Sequence, residues 1–550
     1  INSGKTMYEA DINPIFVTLS ENYLNADAPK LNAAFFDIEV DFDPERGYAS
    51  PDDAFMPITA IAVYLQWLET MVCLAIPPKG LKMEDAKEMV KEFPNTMLFD
   101  NEADLLNTFL DLIQEADVLS GWNSEGFDVP YTVNRVTKVL SKEDTRRFCL
   151  FDQLPRRREF EKFGREATTY DFIGRVHVDY LELYRKYTYE ERHSYRLDAI
   201  AEYELGERKT QYEGTLDQLY NNDFKTFVEY NRQDCALLDR LDKKLKFLDL
   251  ANTLAHENTV LLQTTMGAVA VTEQAIINEA HSRNMIVPNR RSRDDQGETQ
   301  AAGAYVAYPK KGMHEWVGAI DINSLYPSAI RALNMGPETI IGQLRPVMTD
   351  HYIKDKMKEG SSFAGAWEDM FGSLEYQAVM RGDVGTELTI DWEADGSSDI
   401  MSAADVWRLI FDSNQPWILS ANGTIFTHER KGVVPGLLER WYAERKQMQA
   451  KAKETDAAGN AEEAAYWDKR QLVKKINLNS LYGAILNPGC RFFDKRIGQS
   501  TTLTGRAIAR HMDAYVNECI TGDYDHVGES IIYGDTDSCY FTAWPAVKEA

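Results

Sequence analysis

Short runs rich in β-branched and aromatic residues, such as AAFFDIEV at 33–40 and ITAIAVYLQWL at 58–68, alternate with stretches of helical period at 102–116 and 224–248. That alternation predicts an α/β domain between Leu31 and about Leu250. The most apolar stretch, 58–76, is interrupted by Gln66 and Glu69 and predicts two strands, not a membrane span. Residues 251–290 read as mainly helical, and the polar run 289–300 as a surface connection. A second mixed region begins near Gly303, and the acidic, locally Gly/Ser-rich stretch 348–412 carries no assignable pattern. Residues 435–486 predict two long helices joined around 456–460, a helical hairpin. From Arg491 to Tyr540 the pattern is mixed again, and ESIIYGDTDSCYFTA reads as strand, turn, strand.

At 550 residues the chain has room for three or four domains of roughly 150 residues each. With 60 basic and 87 acidic side chains the net charge is −27, which excludes a nonspecific nucleic-acid coat but not an enzyme with a local basic groove. Six cysteines without a CxxC pair indicate neither a zinc site nor a disulfide framework, and fit a reducing compartment. The start, INSGKTMYEAD, has no apolar core of a signal peptide. A first residue of Ile and a strand-like run near the end without a closing element are expected of a fragment cut at both ends.

Candidate chemistry begins at Phe36-Asp37-Ile38-Glu39, where a strand would place Asp37 and Glu39 on one face and Phe36 and Ile38 on the other. Paired carboxylates repel unless a cation lies between them, although D-x-E alone is equally an edge strand with a solvated acidic face. GWNSEGFDVPYTVNR sets Asp128 at a turn into a helix, with Asn123 five residues earlier. In VEYNRQDCALLDRL, Tyr230 and Asp234 stand four apart and share a helix face. Together Asp37, Glu39, Asp128 and Asp234 form a set able to hold two hard divalent cations, as two-metal phosphodiester hydrolysis requires.

A second constellation lies downstream. AIDINSLYPSAIRALNMGPETI places Asp321 at a strand end, then a turn and a helix entered through Pro327, where backbone N–H groups can hold phosphate oxygens. Lys475, Asn479 and Tyr482, spaced four and three, share one helical face suited to a triphosphate and a base. IYGDTDS sets Asp535 and Asp537 in a tight turn, which alone is a plausible polar hairpin tip.

The order DIE, N-x-x-x-F-D and Y-x-x-x-D resembles the 3′–5′ proofreading exonucleases of the DnaQ-like class, with Tyr230 placed to orient the attacking water. D-x-x-S-L-Y-P-S, K-x-x-x-N-S-x-Y-G and Y-G-D-T-D-S follow in that order, and the whole resembles a family B DNA polymerase from about Ala33 onward. The wording of GWNSEGFDVPYTVNR, LNMGPETIIG and NSLYGAI is similar to the replicative polymerases of T-even-like, including cyanophage-type, bacteriophages.

The resemblance implies a mixed α/β and α+β multidomain chain, with a DnaQ-like (ribonuclease H-like) exonuclease domain, a palm and helical fingers. Its segments would be an N-terminal domain remnant at 1–31, the exonuclease at 32–246, a return to the N-terminal domain at 247–290, the palm at 291–431 and 488–550, and the fingers at 432–487, with the thumb absent. The implied activity is template-directed DNA synthesis with proofreading in phage replication, in the cytoplasm of the infected bacterial host. Asp321 and Asp537 would hold two Mg2+ ions, with Asp535 beside them. Asp37, Glu39, Asp128 and Asp234 would hold two further divalent ions, Mg2+ or Mn2+. The backbone at Ser324 and Leu325 would meet the triphosphate, and Tyr326 would lie under the sugar and exclude a 2′-hydroxyl. Arg445, Lys475 and Asn479 would bind the triphosphate, and Tyr482 would line the nascent base pair. Primer–template DNA and deoxynucleoside triphosphates are the implied partners, with a sliding clamp and other replisome proteins through the missing C-terminal part, and no membrane. One departure is Gln449, which stands where the family usually has a second basic residue after Arg445, with Lys446 or Lys451 as substitutes. Two other readings stay open: a DnaQ-like nuclease on a degenerate polymerase scaffold, and a non-enzymatic nucleic-acid-binding protein. Both predict lost carboxylates, and Asp321, Asp535 and Asp537 are all present.

Overall fold

The computed structural model describes residues 7–162, 165–188, 190–290, 303–346, 355–360 and 385–549. Most of the polar connection at 289–300 and much of 348–412 lie outside them. The fold is mixed α/β and multidomain, in two compact units: Asn25–Glu257 with Leu261–Met266, and Ile1–Leu24 with Asn258–Val260 and Gly267–Ala550.

The first unit is built on a six-stranded sheet. Its strands are β1 (Ala33–Val40), β2 (Ile58–Leu65), β3 (Thr70–Ala75), β4 (Thr96–Leu98), β5 (Val118–Gly121) and β8 (Val176–Asp179), in the order β4-β3-β2-β1-β5-β8. A separate hairpin pairs β6 (Arg156–Lys162) with β7 (Arg165–Asp171). β1 is an interior strand, antiparallel to β2 and parallel to β5, and both its faces are covered. Phe36 and Ile38 enter a core with Leu105, Leu106 and Phe109 of helix α1 (Glu102–Leu112). That helix starts because the Asn101 side chain accepts the Asp104 N–H and so satisfies one of the free donors of its first turn. The opposite face of β1 meets helix α3 (Phe224–Leu245), which buries Phe227, Val228, Asn231, Asp234, Cys235 and Leu238 along one helical stripe. Helix α2 (Asp128–Val139) starts at Asp128 itself. The helical run expected at 224–248 breaks at Lys246, which takes a left-handed φ of 58°. The Asp242 side chain accepts the Leu248 N–H there, so a new helix, Phe247–Asn258, starts at once.

In the second unit, β9 (Val317–Asp321), β15 (Ile531–Asp535) and β16 (Ser538–Thr542) form a sheet in the order β15-β16-β9. A five-stranded sheet of β10 (Ile340–Pro346), β11 (Glu387–Trp392), β12 (Ser398–Ser402), β13 (Trp417–Leu419) and β14 (Thr424–Thr427) runs β12-β11-β10-β14-β13. The five helices used below are α4 (Ala268–Ser282), α5 (Leu325–Ala332), α6 (Val433–Ala457), α7 (Ala461–Ile485) and α8 (Lys495–Thr521). α6 and α7 form the long helical hairpin that the sequence predicts, turning at Ala458–Asn460. The roots of these helices share one core: Ile276 of α4, Ile330 of α5, Leu437 and Trp441 of α6, Leu478 and Leu481 of α7, and Ile497 of α8. All six cysteines are free, five of them buried. Among the described residues no helix is long and apolar enough to cross a membrane.

Candidate active sites

Among the described residues, the tightest acidic cluster lies where β1 meets α3. Asp37, Glu39 and Asp234 each present a carboxylate oxygen within 4.8 Å of the others, although Asp37 and Asp234 come from opposite ends of the unit. Asp128 joins them through the backbone, since its Oδ1 accepts the N–H of Ile38, between the two acidic residues of β1, at 3.1 Å. Glu39 is 7 %, Asp128 6 % and Asp234 2 % exposed. Asn231, one turn before Asp234, donates from Nδ2 to Asp37 Oδ2 at 3.0 Å and fixes that carboxylate against the helix.

Burial and then the neighbouring carboxylates push Asp37 and Glu39 well above the ordinary carboxylate range. Burial likewise raises Asp128 to about 7 and Asp234 to about 6. Three clustered carboxylates, with Asp128 beside them, made costly to ionise by burial and by neighbouring charge suit a divalent cation, which would restore the charge balance.

Lys209, which carries no sequence signal, supplies a fixed positive charge at the edge of this cluster. Its Nζ forms an ion pair with Asp234 and lies 3.1 Å from the Tyr230 hydroxyl. Burial disfavours its charge, yet Asp234, Tyr230 and Asp37 outweigh that and hold it protonated. The Tyr230 ring is braced edge-on by Tyr212, with centroids 5.4 Å apart. Beside Asp37 opens a cleft of about 300 Å3 lined by Trp122, Arg196, Leu197, Asp198 and Lys209.

The second cluster sits at the end of the β9, β15 and β16 sheet. β9 and β16 pair so that Asp321 lies opposite Ser538, and the Ile322 N–H donates to the Asp537 carbonyl at 2.8 Å. Asp321 and Asp537 therefore meet at the sheet end, where burial and then the Asp321 charge raise Asp537. Thr536 takes a left-handed φ of 58° to close the turn. Asp535 points along the hairpin, accepting from Thr536 Oγ1 at 2.9 Å and the Tyr533 hydroxyl at 3.3 Å. Among the described residues these three aspartates do not close into a group as tight as Asp37, Glu39 and Asp234.

Ser324, also left-handed at φ 56°, turns the chain from Asp321 into α5, and Leu325 is buried in the helix start. Tyr326 is half-buried, with its ring 4.5 Å from that of Tyr482. The Tyr482 hydroxyl hydrogen-bonds Thr502 of α8. On the helical hairpin, Lys475 is partly buried and Asn479 exposed, while the adjacent Lys474 is buried and pairs with Glu444 across the hairpin at 2.9 Å. Arg445 and Gln449, one turn apart, both donate to Gln471 Oε1, at 3.2 and 3.4 Å. Gln449 thus completes an amide bridge between α6 and α7 at the position where the motif leads one to expect a second cation.

The family model for DNA polymerase family B matches residues 259–544, more than half of the chain. The chain belongs to DNA polymerase family B. The model for the family B exonuclease domain matches residues 6–200. The family B chain is 27 % identical to the DNA-directed DNA polymerase of Escherichia phage RB69 over 97 % of its own length and 60 % of that protein. It is 27 % identical to the DNA-directed DNA polymerase of Enterobacteria phage T4, covering 81 % of this chain and 49 % of the relative. It is 25 % identical to the DNA polymerase delta catalytic subunit of Oryza sativa subsp. japonica, covering 81 % and 36 %. The chain thus spans about half to three-fifths of the length of these phage relatives.

Proposed function

We propose that this family B chain carries out template-directed addition of deoxynucleotides to a primer 3′ end and removes mispaired 3′ ends at a separate exonuclease centre, in phage DNA replication in the cytoplasm of an infected bacterium. The observation that carries the reading is the pairing of β9 with β16, which sets Asp321 opposite Ser538 and so beside Asp537, in the same chain as the Asp37, Glu39 and Asp234 cluster. The phage relatives of the chain are named as DNA-directed DNA polymerases.

In the synthetic centre Asp321 and Asp537 would hold two Mg2+ ions, with Asp535 adding to the local negative charge. In the exonuclease centre Asp37, Glu39, Asp128 and Asp234 would hold two divalent ions, Mg2+ or Mn2+. When bound, such ions supply activation of the attacking oxygen and stabilisation of the leaving oxygen. The protein supplies the geometry around them. Ser324 and Leu325 present the backbone at the start of α5 to the triphosphate, and Tyr326 closes the space beneath the sugar. Arg445, Lys475 and Asn479 place positive and polar groups where phosphate charge develops. Tyr482, held by Thr502, lines the base pair. At the other centre Tyr230 orients the attacking water, and Lys209 holds both Tyr230 and Asp234 in place. Primer–template DNA and deoxynucleoside triphosphates are the substrates, with a sliding clamp and other replisome proteins as partners of the whole polymerase.

The test is extension of a labelled primer on a complementary template with the four deoxynucleotides and Mg2+, for the parent and for Asp537→Asn. Extension by the parent, absent in the variant and in excess chelator, is the expected result. Shortening of single-stranded 3′ ends with no extension under any divalent ion would favour the nuclease reading.

A further inference from the structure

We infer that Gly505 is a specificity-determining positioning residue, which sets the depth of the Tyr326 ring and so the tightness of sugar discrimination; the inference rests on the polymerase reading above. Gly505 is a buried residue inside α8, where its backbone is ordinary right-handed helix. Nothing in its conformation calls for glycine, and glycine inside a helix is less stable than alanine. The space around it explains the choice. A Cβ at this position would stand 2.7 Å from Tyr326 Cε1, 3.2 Å from Cδ1 and 3.4 Å from Leu325 Cδ2. The first distance is below any relaxed carbon–carbon contact, so a side chain at Gly505 must displace the ring.

The ring has little freedom in how it yields. On a second side it packs on Tyr482, with centroids 4.5 Å apart, and Tyr482 is tied through its hydroxyl to Thr502. Thr502 and Gly505 are three apart on α8 and so share a face. One helix therefore sets both tyrosines, holding Tyr482 by a hydrogen bond and receiving Tyr326 through a missing side chain. A methyl group at Gly505 pushes the Tyr326 ring away from α8, and on the polymerase reading that moves it toward the sugar it closes against. The consequence is sharper exclusion of 2′-substituted sugars.

Two paired measurements on Gly505→Ala, Tyr326→Ala and the double variant test this. The first compares kcat/KM for deoxy-, 2′-fluoro- and ribonucleotides. Gly505→Ala should raise the deoxy-to-ribo ratio by roughly threefold or more, mostly through KM and increasing with the size of the 2′ group. In the Tyr326→Ala background the same change should leave the ratio where it is. The second is thermal unfolding, which remains readable even if a variant is inactive. Gly505→Ala should lower the melting temperature when Tyr326 is present and raise it when Tyr326 is alanine, because only the helix preference is then left. A ratio unchanged or lowered by Gly505→Ala, or the same effect in both backgrounds, overturns the proposal. A parent that adds no nucleotide at all strikes the polymerase reading, and this inference falls with it. An active parent with an unmoved ratio strikes the inference alone.

Discussion

The N–H of Ile38 donates to Oδ1 of Asp128 at 3.1 Å across 90 residues of sequence. That bond fixes a helix N-terminus against the strand carrying Asp37 and Glu39, and so joins two motifs that are separate in the chain. On the proposed assignment of Asp37 and Glu39 to the exonuclease centre alone, Asp37→Ala combined with Glu39→Ala should lower degradation of single-stranded 3′ ends by at least about 10³-fold. Nucleotide addition should stay within a factor of about two, as expected for independent sites. The comparison is made on one labelled primer with and without deoxynucleotides.

Lys209 offers a second prediction. Lys209→Met removes the ammonium that links Tyr230 to Asp234 but keeps most of the side-chain volume. Exonuclease kcat should fall roughly 10- to 100-fold, the scale on which groups that orient a metal site act. An unchanged kcat would show that the contact is structural only.

Much of this was legible in the sequence because periodicity and motif spacing report local geometry. The alternation around Asp37, the four-residue step from Tyr230 to Asp234 and the strand-turn-strand at Asp535 all follow from one element each. Lys209 was not legible, since it lies in the loop RKTQYEG, where no period fixes a direction and only the fold brings it to Asp234. The interior position of β1 was also hidden, because a D-x-E run reads equally as an edge strand and its parallel neighbour β5 lies far along the chain. Lys474 and Lys475 are adjacent on α7, and only the register of α7 against α6 shows that Lys474 is the one paired with Glu444. The bridge from Gln449 to Gln471 depends on that same register.

The helical hairpin yields a third prediction. Lys475→Ala should raise the KM for deoxynucleotides and slow single-nucleotide addition by roughly 10-fold or more, the effect expected of its proposed role as a charge on the phosphates. Rapid-quench kinetics identical to the parent would instead mark Lys475 as a solvated helix position.

His177 predicts a pH dependence. Its Nε2 lies 2.9 Å from the Ser124 hydroxyl, and burial, with the Arg158 charge, lowers its pKa from 6.5 to about 3. The unfolded chain therefore takes up the proton first, so this contribution is complete above about pH 6.5 and is lost as the pH falls toward 3. Near pH 5 the loss is about 1–2 kcal/mol. His177→Gln should reduce the acid sensitivity of the exonuclease unit by that amount in urea unfolding at about pH 5 against about pH 7.5. Parallel pH profiles for the two proteins would remove His177 from the explanation.

The central claim, two separate centres in one family B chain, is tested most directly by single-turnover assays of Asp537→Ala and of Asp37→Ala with Glu39→Ala, on the same primer–template in Mg2+. The first variant is expected to shorten the primer and never extend it, and the second to extend it and never shorten it. Loss of both activities in either variant, in protein that melts like the parent, would contradict it.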